Sequence, residues 1–189
     1  RFIKDGGDLR SPTVANVQDL LLNENSALLD IFHGNGAFII SAISKVDSRQ
    51  FIQPISAKLT EKLKYLKTAQ ADESTESLQL AYSLYQEVYQ KSIAWLQEQG
   101  NNIEELIIIS NPALDKFAAG YLPIEPPSGL WSSNPLLMDE FTITYGLNLS
   151  TLLAAKELKG LRNPPATDWG IFLGTQAQDA NGKEVPGLP

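Results

Sequence analysis

Leu106 to Ile109 is an unbroken run of four apolar residues, three of them β-branched, with Gly100 before it and Asn111-Pro112 after it. A short run that is apolar on both faces predicts a strand covered on both sides. Pro112 lacks an amide proton and restricts Asn111, which predicts an abrupt strand end and a turn into a second apolar patch, Phe117 to Leu122. A buried strand opening into a polar turn is where α/β domains tend to place their chemistry, so this strand is read as the centre of the fold.

Upstream, Ser11-Pro12 reads as a helix start, and Val14, Val17 and Leu21 give an amphipathic helix running to about Leu22. Ala27 to His33 and Ala37 to Val46 read as strands. Gly34-Asn35-Gly36 between them accepts the positive φ that a tight hairpin needs. The second strand puts Phe38, Ile40 and Val46 on one face and Ile39 and Ile43 on the other, and both faces are expected to be covered. Phe51 to Ile55 is expected to add a short third strand.

Ser56 caps a predicted helix striped by Leu59, Leu63 and Leu66, with Lys58, Lys62, Lys64 and Lys67 mostly on a solvated side. Ala69 to Thr75 is a polar linker. Glu76 to Gln99 is predicted to be the longest helix, burying Leu78, Ala81, Tyr85, Val88, Trp95 and Leu96 and ending at Gly100. Pro123 to Pro135 is a loop in which Trp131 serves either as a lid over the core or as an exposed contact. Phe141 to Tyr145 alternates like a half-buried strand, and Asn148 caps a helix carrying Leu149, Leu152, Leu153 and Leu161. Asn163-Pro164-Pro165 connects to a last strand, Trp169 to Leu173, and Asp179 to Glu184 reads as a polar turn. The pattern predicts one α/β domain over residues 1–189, with 1–12 as a flexible lead-in. Its mixed β-sheet is flanked by helices and begins with an N-terminal antiparallel β-hairpin.

Composition narrows the chemistry. Hydrophobic residues at 43% and charged residues at 20% are those of an ordinary globular protein. A net charge of −7 argues against nucleic-acid and anionic-membrane partners, which require clustered cations. There is no cysteine, hence no thiolate ligand and no cysteine nucleophile within these residues, and the single histidine, His33, leaves almost nothing from which to build a triad. No apolar run approaches the roughly 20 residues that span a bilayer. The N-terminus has no signal-peptide core and no Met, and the expectation is a soluble, cytoplasmic chain cut from a longer polypeptide. Phosphate-loop, zincin, nucleophile-elbow and dinucleotide motifs are all missing. His33, beside Gly34, reads as structural, and Asp115 and Asp139 are single carboxylates without partners at a recognisable spacing. No catalytic residue, cofactor or metal site is therefore assigned, and a small-molecule enzyme has no supporting constellation.

The order of elements resembles the opening of a CHAT domain, the caspase-like cysteine peptidase domain commonly found beside tetratricopeptide repeats. Gln18 to Val46, with its Ala-Leu-Leu-Asp-Ile-Phe, is similar to that family's leucine-rich helix, acidic turn and hairpin. Leu84-Tyr85 matches a helix pair before the strand. Leu114, Phe117 and Leu122 match the "L-x-x-(I/L)-P-F-A-A-L" segment. Phe141 to Tyr145 with Asn148 to Leu152 match the next strand and helix start, and Leu173-Gly174 and Leu188-Pro189 match a strand end and an L-P pair. Three positions depart: the family's proline falls at Ala118, its aspartate-glycine turn is Asn111-Pro112, and its helix-start serine is Asn148. The resemblance implies a caspase-like sheet and a His-Cys pair lying beyond Pro189. On that reading the chain is the non-catalytic leading half, and its partners are a C-terminal catalytic segment or partner protein and a tetratricopeptide-repeat region. The departures suit an alternative, a catalytically silent regulatory module.

Overall fold

The structure, a computed structural model, describes residues 11–34, 36–55, 75–99, 102–110, 114 and 118–161. The expected helix after Ser56, all of the linker Ala69 to Thr75 but Thr75 itself, the turn at Asn111-Pro112, Asp115, Phe117 and every expectation beyond residue 161 lie outside the described residues, as do the first ten residues of the lead-in.

Helix α1 spans Val14–Leu20 and starts two residues later than Ser11-Pro12 suggests. Thr13 is the cap because Asn16 can reciprocate. The Thr13 hydroxyl accepts from the Asn16 amide at 3.2 Å, while Asn16 Oδ1 accepts from the Thr13 amide, also at 3.2 Å. Strands β1 (Ser26–Gly34) and β2 (Ala37–Ser44) form the expected hairpin. Gly34 pairs with Ala37, leaving a two-residue connection in which Gly36 takes φ 73°. β2 is shorter than its apolar pattern. Ser44 turns the chain by bonding Asp47, its amide donating to the Asp47 carbonyl at 2.9 Å, so Val46 is not a core residue but 67% exposed. β3 (Ser48–Pro54) returns antiparallel to β2.

The long helix runs unbroken from α2 (Thr75–Leu84) through a π-helical turn (Tyr85–Tyr89) to α3 (Gln90–Glu98). The Gln90 amide reaches back five residues to the Tyr85 carbonyl. This inserted residue goes with two adjacent buried pairs, Leu84-Tyr85 and Val88-Tyr89. All six side chains expected on the buried side are buried. β4 (Glu105–Ser110) follows, then a one-turn helix α4 (Leu137–Glu140), β5 (Thr142–Gly146) and α5 (Leu149–Leu161).

The strands form one mixed sheet in the order β3-β2-β1-β4-β5, antiparallel across the first three and parallel from β1 through β4 to β5. The protein is therefore α/β, with a five-stranded mixed sheet, flanking helices and an N-terminal hairpin. The middle strand is β1 rather than β4, because the β2–β3 hairpin extends the sheet on β1's other side. On the first face Leu29, Ile31, Phe38, Ile40, Leu106 and Ile108 pack under the long helix. On the second face Leu28, Ile43, Ile107 and Ile109 pack with Val17 and Leu22, and Leu149 and Leu152 of α5 lie against them. Strand alternation thus supplies both cores of a three-layer sandwich. The buried Leu114 and Leu122 belong to the first core.

Candidate functional site

Among the described residues no group of three or more His, Cys, Asp or Glu side chains could hold a metal. His33 is exposed near the hairpin turn, its ring 5.4 Å from that of its cross-strand partner Phe38. Asp139 holds the start of α4, its Oδ2 accepting from the Leu136 amide at 2.8 Å. A cleft of about 410 Å³ lies between the end of the long helix and β5, lined by Gln97, Asn102, Ile103, Glu140 and Phe141. It opens at the amino ends of β4 and β5, whereas ligands of open α/β sheets bind at the carboxyl ends. Gln97 Nε2 donates to Glu140 Oε2 across it at 3.3 Å.

The carboxyl ends carry a different feature. Register places Gln50, Ser41, Asp30, Ile109 and Gly146 in one row across all five strands on the second face. Asp30 is half-buried in the middle strand, and that burial pushes its carboxyl up from the ordinary carboxylate range. Among the described residues its carboxylate has neither a hydrogen bond nor an ion pair. The signal for it was in the sequence, a lone acid inside the apolar run Ala27 to Phe32. One row further on, Phe32, Ile39 and Ile52 pair in register, with Phe32 58% and Ile52 66% exposed.

A linkage prediction follows for Asp30. Its folded-state pKa is raised, so folding favours the protonated acid. The resulting penalty is absent below the ordinary carboxylate pKa and grows as pH rises through the folded value. Asp30→Asn is expected to unfold at higher denaturant than the parent at neutral pH and to match it in acid. Urea titrations at the two pH values check this.

At the other side of the sheet β5 is the last of the described strands. The Thr142 amide donates to the Glu104 carbonyl at 2.8 Å, so alternation turns the amides of Ile143 and Tyr145 outward, and among the described residues no strand meets them. Tyr145 fixes what lies beside this edge. Its hydroxyl accepts from the Gly120 amide at 3.0 Å, anchoring the short 3₁₀ turn Ala119–Tyr121. Burial raises the Tyr145 phenol's pKa, against the lowering effect of that backbone bond.

The expected loop between Pro123 and Pro135 is closed rather than loose. Pro123 bridges Leu136, the Leu137 amide donates to the Leu122 carbonyl at 3.0 Å, and the Ile124 amide to the Pro135 carbonyl at 3.0 Å. Asn134 fills its centre. Oδ1 accepts from the Ser128 amide at 2.8 Å, and Nδ2 donates to the Leu130 carbonyl at 2.6 Å and the Ser128 carbonyl at 3.2 Å. Trp131 begins a 3₁₀ turn within it, and its side chain lies outside what is described.

Among the described residues no helix is long and apolar enough to cross a membrane. No protein-family model matches the chain, and no curated protein matches its sequence.

Proposed function

We propose that the chain is the leading, non-catalytic portion of a CHAT-type, caspase-like cysteine endopeptidase, packing on and positioning a catalytic half that carries the His and Cys. The observation that supports this most is the outer ladder of β5, which no described strand meets and which offers a second body a sheet to continue. The order of hairpin, long helix, β4, β5 and capped α5 is also the order on which the resemblance rests. A cysteine peptidase needs a thiolate, a base to take its proton and backbone amides to hold the oxyanion. This chain has no cysteine, and its one histidine stands exposed beside a hairpin turn, so the partner segment brings that chemistry. A cytoplasmic setting and a neighbouring tetratricopeptide-repeat region belong to the same proposal.

A second reading, a catalytically silent regulatory module, is favoured by Ala118. It stands where the family has proline and takes an extended conformation before the 3₁₀ turn. One experiment separates the two. The gene is read for about 150 codons beyond Pro189, a typical domain's length, and the joined protein is tested on peptide substrates. The peptidase reading expects a His and a Cys in strand-end contexts and cleavage that vanishes when that Cys becomes Ala. An unrelated continuation, or a joined protein that cleaves nothing, overturns it.

A further inference from the structure

The row Phe32, Ile39 and Ile52 crosses β1, β2 and β3 on the second face. With strands about 4.8 Å apart it spans about 10 Å, and Asp30 lies two residues along on the same face, about 7 Å away. α1 and α5 cover Leu28, Ile43, Ile107 and Ile109 but leave this end of the sheet open. Scattered exposed apolar side chains are ordinary, whereas three in register across adjacent strands form a continuous surface. The Phe32 ring adds to it by lying back over Gly34, with Cε1 2.7 Å from where a Cβ there would stand.

We propose that this shelf docks an amphipathic segment of another protein, one that sets apolar side chains on Phe32, Ile39 and Ile52 and an arginine or lysine on Asp30. Charge dictates the cation. Covering a carboxylate that has no described partner with an apolar surface alone strands the charge, whereas a guanidinium pairs with it and keeps it hydrogen-bonded. Two described cations of this part of the sheet, Lys45 and Arg49, are engaged elsewhere. Lys45 Nζ donates to the Gln18 carbonyl at 2.6 Å, and Arg49 lies over the Phe51 ring at 5.4 Å on the opposite face. A second copy, itself at net charge −7, is disfavoured. The chain's net charge of −7 favours a basic partner in the same sense. This surface lies on the other side of the sheet from the β5 edge and does not rest on the peptidase reading.

The test is selection of a random peptide phage library on the full chain, with counter-selection on Ile52→Ser. The expected result is enrichment of peptides combining a basic residue with two or more large apolar ones. A synthetic representative should bind about tenfold more weakly to Asp30→Asn, Phe32→Ser and Ile52→Ser. Asp30→Lys should recover binding to the peptide whose basic residue is changed to Glu. Far-UV circular dichroism checks that each variant is folded, and all three positions lie at least partly in solvent. No enrichment, peptides lacking a basic residue, binding indifferent to these variants, or a dimer that Ile52→Ser converts to monomer would each overturn the proposal.

Discussion

Leu29→Ala is expected to cost about 2–5 kcal/mol, the range for removing three carbons from a site that cannot collapse. Leu29 is fully buried in the middle strand, with Ala42 beside it on β2 and Ile108 on β4, and it faces the long helix. Both neighbouring strands are held by their ladders, so the backbone cannot close on the cavity. For a domain of this size each kcal/mol moves the melting midpoint by about 2–4 °C, which predicts a fall of about 4–20 °C in calorimetry. Leu147→Ala is the control. That leucine is 91% exposed, and its loss should stay within about 0.5 kcal/mol.

The second large effect is expected at Asn134. Its buried amide group makes three bonds to Ser128 and Leu130, and these hold the loop that the Pro123–Leu136 bridge closes. Asn134→Ala removes the acceptor for the Ser128 amide and the donor for two carbonyls. An orphaned buried group costs about 1–3 kcal/mol, tempered here where the loop can open to water. The expected signature is local. Limited proteolysis should cut between residues 124 and 135 far sooner than in the parent, while the melting midpoint moves less than for Leu29→Ala. Cleavage no faster than in the parent would mean that Asn134 does not organise the loop.

Much of this architecture was legible in local pattern. Leu106 to Ile109 announced a doubly covered strand, Gly34 and Gly36 marked the hairpin, and Asn148 caps α5, its Oδ1 accepting from the Thr151 amide at 2.8 Å. These are short-range effects, set by residues that touch along the chain. What pattern could not deliver depends on distant neighbours. β4 read as the centre because it is the most apolar strand, yet β1 is central because β2 and β3 pair on its far side. The π turn was hidden because a 3.6-residue template has no place for the residue inserted at Tyr85–Tyr89. Val46 looked like a core residue, but the bond from Ser44 to Asp47 puts it in a turn. Asp30 stands out in the sequence as a lone acid in an apolar run, but only the sheet register shows it half-buried beside an exposed apolar row.

The reading of the chain as one half of a larger assembly is tested most directly by amide hydrogen exchange at Ile143 and Tyr145, whose N–H groups point out of the β5 edge. These two amides are expected to exchange quickly in the isolated chain, while Thr142 and Thr144, which face β4, remain protected. Adding the segment encoded downstream should slow Ile143 and Tyr145 to the same level. Protection already present in the isolated chain, or rapid exchange that the downstream segment leaves unchanged, would contradict it.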